Sequence, residues 1–184
     1  GARHGLGTAS VVLPNGYTVG AIVALNPAGS AVNPQTCLPY GVILELDGEF
    51  GLVQPTPEEC HPAGTDASKN GGEGDDQPFN TTIAVVATDA PLDQTQAKRM
   101  AMIANSGLAR AIKPVHGLRD GDLIFAVATT PPDRTLSLDD LDAIYNAGAD
   151  ALGRAVVHAL LNAGTAGEFT GYCDRYPSAC RNRK

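Results

Sequence analysis

Residues 79–90 read Phe79-Asn80-Thr81-Thr82-Ile83-Ala84-Val85-Val86-Ala87-Thr88-Asp89-Ala90, and from Thr81 to Thr88 every residue is apolar or β-branched. A run of that length and composition predicts a buried strand. What precedes it has the opposite character. From Pro55 to Pro78 the chain is Gly, Asp, Glu, Pro, Ser and Lys with little to bury, which predicts a solvated, mobile loop. An acidic loop running into a strand that begins with Thr points to a cut between Asn80 and Thr81. Such a cut leaves Thr81 with a free α-amino group beside its own hydroxyl. With a pKa of about 8, that amine is partly unprotonated near neutral pH and can take the hydroxyl proton, so Thr81 becomes a nucleophile without a histidine. The same residues also fit an ordinary passage from loop to strand, and Asn80-Thr81-Thr82 also fits the N-glycosylation triplet. Spacing alone does not choose among them.

Upstream, Gly5-Leu6-Gly7-Thr8-Ala9-Ser10 leads into Val11-Val12-Leu13, and Pro14-Asn15-Gly16 is a turn signal. Tyr17 to Leu25 is a second apolar run, so the two predict a hairpin that ends at the turn Asn26-Pro27-Ala28-Gly29. Gly41 to Leu46 reads as a short edge strand closed by Asp47-Gly48. Downstream, Leu92 to Ile112 has helical periodicity. Asp93 and Gln96 stand in capping-box spacing, and Pro114 follows as a stop. Asp120-Gly121-Asp122 precedes a predicted strand from Leu123 to Thr129. In an extended chain both carboxylates face one side, and two close carboxylates cannot ionise independently. That pair suits holding a nucleophile and its ammonium while a proton moves, or simply forms an acidic turn. Ser137 with Asp140 caps a last helix from Leu138 to about Ala163, whose Gly148 and Gly153 predict close packing. His158 on its apolar side reads as a core histidine with its hydrogen bonds met, and the tail from Gly164 onward as polar and tied by cysteines alone.

The chain has 184 residues, 43% hydrophobic but only 5% aromatic, so its core must come from Ala, Val, Leu and Ile. A net charge of −7 argues against nucleic acid and against an anionic membrane surface. No apolar run approaches the roughly 20 residues of a membrane span. Cys37, Cys60, Cys173 and Cys180 lack C-x-x-C spacing and a histidine cluster, so a metal site is not expected, and no cofactor is called for. Cys173 and Cys180 bracket a short loop where a bridge would contribute about 2–3 kcal/mol. Cys37 and Cys60 can pair as well, and four free thiols fit the composition equally. An even count in polar loops leans toward a periplasmic or secreted protein rather than a cytoplasmic one. The chain opens Gly1-Ala2-Arg3 with no Met, so it is expected to begin inside a longer protein.

The run Asn80 to Ala90 with Pro91-Leu92-Asp93 resembles the autoprocessing junction of the DmpA-type aminopeptidases, the N-terminal-nucleophile hydrolases that include L-aminopeptidase/D-amidases (also described as D-esterases), β-peptidyl aminopeptidases and nylon-oligomer hydrolases. The Gly5-Leu6-Gly7-Thr8-Ala9-Ser10 run and the strand ending at Asn26 also resemble that family, from about Gly5 to Ala163. The Asn-Thr-Thr junction and Asp120-Gly121-Asp122 look most like the nylon-oligomer branch. The resemblance implies an α/β sandwich of αββα type, two sheets between helical layers, with the N-terminal part of the fold absent from this chain. Residues 1–80 would then be the end of an α-subunit with the processing loop at about 55–80, and residues 81–184 a β-subunit that starts at the nucleophile, together part of one domain. It implies Thr81 as nucleophile, Asn26 as oxyanion donor through its side-chain amide, Asp120 and Asp122 contacting the nucleophile, and Asn80-Thr81 as the processing bond. A lysine that the nylon-oligomer branch uses has only Arg3 near its place, and Arg3 cannot act as a base. The implied activity is hydrolysis of peptides or amide oligomers through an acyl-enzyme, in a homo-oligomer of four or more; either this chain is a fragment or processing product, or a separate chain supplies the missing part. Two alternatives stay open: acyl transfer of the ornithine acetyltransferase type, and an unprocessed, non-catalytic binding or assembly subunit.

Overall fold

Four strands, β1 (Leu6–Val12), β2 (Thr18–Ala24), β3 (Ile83–Thr88) and β4 (Leu123–Ala128), hydrogen-bond side by side in chain order. The computed structural model of the protein describes residues 4–60, 80–118 and 120–183. Gly16 takes a φ of 87° in the turn that closes the β1–β2 hairpin, a conformation an L side chain resists. β2 pairs antiparallel with β3, and β3 pairs parallel with β4. The parallel pair needs a crossover, which α1 (Gln94–Ala111) supplies; α2 (Leu138–Leu161) follows β4. Both helices begin where the sequence places them. Asp93 and Gln96 form the reciprocal capping box, and the Ser137 side chain accepts from the Asp140 N–H.

α2 packs on β1 and β2, α1 on β4, and the helices on each other. Small residues let the backbones meet. A Cβ on Gly7 would sit 2.0 Å from the Ala155 carbonyl oxygen, and one on Gly107 would sit 2.0 Å from that of Ala149. Gly153, singled out in the sequence for close packing, has the Leu44 side chain against it. The core beneath is Val19, Val23, Val86, Met100, Leu108, Ile144, Leu152 and Leu160, all fully buried.

The structure corrects three expectations. The central strand begins at Ile83, not Thr81, and is buried on one face only. Its outer face continues an apolar row through Leu6, Ile22, Ile83, Leu123, Phe125 and Val127, with Phe125 52% exposed. The described chain is therefore one sheet with one helical layer. Where an edge strand is expected from Gly41 to Leu46, the chain forms a 3-10 turn (Tyr40–Leu44) after Pro39. A short apolar run carries no decisive periodicity, and here Gly41 is buried against Val157 and Gly153 of α2. The tail is held by more than cysteines. Tyr172 of the short α3 (Tyr172–Arg175) is buried and donates to the Cys37 carbonyl at 2.9 Å, and Arg183 donates to the Leu161 carbonyl at 2.6 Å. Two buried aromatics, Tyr172 and Tyr176, outweigh the polar composition around them. Both disulfides are present, Cys37–Cys60 and Cys173–Cys180. Among the described residues no helix is long and apolar enough to cross a membrane. Of the acidic loop expected to be mobile, residues 55–60 are tied down by the Cys37–Cys60 bridge and by Glu59, which accepts from the Ser178 N–H and hydroxyl; the rest of the loop, with Phe79, and Arg3 lie outside the described residues.

His158 is satisfied, as its apolar setting predicts. Its Nε2 lies 3.0 Å from Glu49 Oε2, and its ring meets Phe50 edge-on. Arg154, only 6% exposed, grips the same carboxylate with Nε and Nη2 and donates to the Ser10 carbonyl at 3.1 Å. Burial pushes the Glu49 pKa up, but hydrogen bonds from Arg154, His158 and the Leu46 amide override it and bring it down to about 2. A carboxyl depressed in the fold stabilises it above its unfolded pKa and loses that contribution as pH falls through the folded value. The melting temperature is therefore expected to fall between about pH 4.5 and pH 2. Glu49→Gln, which strands Arg154, should cost about 3–5 kcal/mol at pH 7 and flatten that acid slope in a denaturation series; an unchanged slope would remove Glu49 as its source.

Candidate active site

The parallel ladder between β3 and β4 continues beyond both strands. Asn80 bridges Asp120 in the register that pairs Ile83 with Leu123. The Leu123 N–H donates to the Thr82 carbonyl at 2.9 Å and the Gly121 N–H to the Asn80 carbonyl at 3.0 Å. Thr81 thus lies beside Gly121, where an added Cβ would be 3.1 Å from Thr81 Oγ1. From the end of β2, the Asn26 carbonyl accepts the Thr81 N–H at 2.9 Å. The Thr81 hydroxyl donates to the Asn80 carbonyl at 2.7 Å. The Thr81 hydroxyl, the Thr81 nitrogen and the Asn80–Thr81 peptide bond are all held in one corner at the end of a central strand.

The two carboxylates close that corner. The Asp122 side chain is only 1% exposed. Its Oδ1 accepts the Thr82 N–H at 3.0 Å. Its Oδ2 lies 2.9 Å from His116 Nδ1, close enough for an ion pair but not aligned as a hydrogen bond. Asp120 Oδ2 accepts the Ala28 N–H at 3.2 Å, while Oδ1 is buried with no partner. Burial holds the Asp120 pKa above the usual carboxylate range. The Ala28 N–H opposes that shift, the neighbouring Asp122 adds to it, and His116 works against it. The sequence expectation that these carboxylates stand close enough to affect each other agrees with this geometry.

The five residues singled out in the sequence, Asn26, Asn80, Thr81, Asp120 and Asp122, therefore meet. Asn26 makes its contact through the main-chain carbonyl, and the residue is exposed. Two neighbours escaped the sequence reading. His116 takes a φ of 56°, a left-handed conformation uncommon outside glycine, and no periodicity signals its ion pair. Gly121 reads as a turn residue between two Asp, and only the close approach to Thr81 shows that a side chain there would crowd the hydroxyl.

The chain as a whole matches known proteins. The model of peptidase family S58 matches residues 1–173. The chain belongs to that family. It is 40% identical over 187 residues to an uncharacterized aminopeptidase of Mycobacterium tuberculosis, covering 96% of this chain and 53% of the relative. It is 29% identical over 197 residues to β-peptidyl aminopeptidase BapA of Sphingosinicella microcystinivorans, covering 97% and 46%. Among solved structures it is similar to a Burkholderia β-aminopeptidase, with a TM-score of 0.59, 25% identity, and 95% and 47% of the two chains covered. It is similar also to the L-aminopeptidase D-Ala-esterase/amidase of Ochrobactrum anthropi, described as a variant of the Ntn hydrolase fold, with a TM-score of 0.54, 26% identity, and 96% and 44% covered. The chain spans about half the length of the curated relatives it matches.

A carboxyl whose pKa the fold raises contributes the other way from Glu49. Stability is highest where the group is protonated in both states and declines as pH rises through the unfolded value, about 3.9, toward the folded one. Measured in a Thr81→Ala background, where parent and variant share one covalent state, Asp120→Asn, which keeps an oxygen for the Ala28 N–H, should therefore raise the melting temperature at pH 7 and lose that advantage near pH 3. A variant less stable than the parent at pH 7 would mean that the Asp120 charge supports the fold rather than strains it.

Proposed function

We propose that the protein is an aminopeptidase-type amide hydrolase that cuts itself between Asn80 and Thr81 and then uses the new N-terminal threonine as nucleophile. The observation that carries this reading is the Asn80 carbonyl fixed between Gly121 N–H and the Thr81 hydroxyl, with Thr81 N held by Asn26. Membership of a peptidase family supports it.

After the cut, residues 1–80 and 81–184 form the two subunits. The Thr81 α-amine takes the proton of its own hydroxyl, and Oγ1 attacks the substrate amide carbon. The exposed Asn26 side chain donates to the developing oxyanion, Asp120 and Asp122 hold the ammonium and hydroxyl in place, and the amine product leaves. Water then releases the acyl group and restores Thr81. The buried carboxylates suit a peptide or oligoamide with an accessible amino end, and the nylon-oligomer branch offers the nearest match to Asp120-Gly121-Asp122. The remaining half of the family's length, supplied by another segment or chain, covers the apolar outer face of the sheet, and processed subunits assemble as a homo-oligomer. Two disulfides fit an oxidising compartment outside the cytoplasm.

Each disulfide joins cysteines on one side of the cut, so denaturation without reduction should separate the pieces. Intact mass spectrometry is expected to show two species, one beginning at Thr81. Thr81→Ala should remain one chain and lose turnover by a factor of at least about 10³. A processed, active Thr81→Ala protein would refute the mechanism. An unbroken wild-type chain that takes no label from hydroxyl-directed inhibitors would point instead to a binding subunit.

A further inference from the structure

The Asn80 carbonyl oxygen accepts two hydrogen bonds, from the Thr81 hydroxyl at 2.7 Å and from the Gly121 N–H at 3.0 Å. Only the second donor survives the reaction unchanged, because the hydroxyl must turn away from the oxygen to attack the carbon. We propose that the Gly121 main-chain N–H is the oxyanion donor of self-cleavage. This assignment rests on the reading that the Asn80-Thr81 bond is cut.

In the first step Thr81 Oγ1 bonds to the Asn80 carbonyl carbon, and its proton passes to the buried, unpartnered Oδ1 of Asp120. The carbonyl π electrons collect on the Asn80 oxygen, 3.0 Å from Gly121 N and inside the range in which a donor stabilises an oxyanion. A hydrogen bond to a charged acceptor is about twice as strong as one to a neutral acceptor, so this contact strengthens as the reaction proceeds. Collapse breaks the bond from the Asn80 carbon to Thr81 N, which takes the proton back from Asp120. The resulting ester on Thr81 Oγ1 is hydrolysed by one water, leaving a carboxyl group on Asn80 and the free hydroxyl on Thr81.

The surrounding groups single out this donor. Asn26 meets Thr81 through its main-chain carbonyl, which leaves its side-chain amide for the oxyanion of a substrate, and the Ala28 N–H is taken by Asp120 Oδ2. The Thr82 N–H is taken by Asp122 Oδ1. Gly121 is aimed by the register of the sheet, so its amide needs no reorganisation when charge appears. A Cβ there would stand 3.1 Å from Thr81 Oγ1 and 3.8 Å from the Asn80 oxygen, in the space through which the hydroxyl swings from oxygen to carbon.

Two substitutions separate the N–H from the space. Gly121→Pro removes the donor, whereas Gly121→Ala keeps it and only crowds the hydroxyl. Appearance of the Thr81-initiated piece after synthesis is followed by mass spectrometry, with melting curves to verify folding. Gly121→Pro should cut about 100- to 1000-fold more slowly than wild type, and Gly121→Ala at least about tenfold faster than Gly121→Pro. A Pro variant cutting at the wild-type rate, or an Ala variant as slow as Pro, overturns the assignment. If the Pro variant does not fold, a crystal structure of uncut Thr81→Ala decides the matter. Asn80 O within hydrogen-bond distance of Gly121 N supports the assignment, and a carbonyl turned away from it overturns it. An uncut wild-type protein would remove the proposed function together with this donor, whereas a cut wild type beside an equally fast Pro variant removes only the donor.

Discussion

The parallel register between β3 and β4 is the constraint on which the site depends. Each hydrogen bond along Ile83–Thr88 fixes the next pair, and the ladder runs on past the strand ends to set Asn80 against Asp120. Because a one-residue slip would turn every side chain to the opposite face, the buried Ala84 and Val86 lock the alignment from within the core. The placement of Thr81 beside Gly121 thus follows from hydrophobic burial several residues away. A site held by sheet register is stiffer than one held by side chains, as an attack on a neighbouring peptide bond requires.

Glu49 and the Asp120–Asp122 pair show how differently one chain treats its carboxylates. Glu49 has a guanidinium, an imidazole and a backbone amide around it, and it anchors α2 to the loop before Phe50. Asp120 and Asp122 are left with buried oxygens lacking aligned partners, and Thr82 Oγ1 beside them is also unsatisfied. Orphaned buried acceptors are costly, so their concentration around Thr81 is a local departure from an interior otherwise satisfied among the described residues. The proposed cut supplies what they lack, since a free ammonium brings new N–H donors where the peptide offered one.

Much of this was legible in the residues because the signals are local. The capping box at Asp93, the N-cap at Ser137, the hairpin turn at Gly16 and the stop at Pro114 each depend on a few neighbouring side chains, and the helices start where those chains require. The junction at Asn80-Thr81 and the Asp120-Gly121-Asp122 triplet were legible through their resemblance to a family more than through spacing. What stayed hidden depends on distant partners. Nothing near Tyr40–Leu44 reveals that α2 will bury Gly41, and nothing near His116 reveals that its backbone turns left-handed to face Asp122. The exposure of the sheet's outer face among the described residues was unreadable for the same reason: apolar alternation says which residues want burial, not what packs on them.

The proposed cut also has to leave the two pieces together, and the sheet explains how. β2 belongs to residues 1–80 yet lies between β1 and β3, so its outer neighbour comes from residues 81–184. Val19, Ala21 and Val23 of β2 are buried, and the helix above them, α2, comes from the second piece. Separating the pieces would expose this core and break the whole β2–β3 ladder from Val19–Thr88 to Ala24–Ile83. Asn26 stands just beyond that ladder, so its carbonyl remains beside Thr81 N for as long as the pieces stay paired. Cleavage therefore removes one covalent link without releasing the strand that holds the nucleophile, and the geometry that prepares the cut is the geometry that outlasts it.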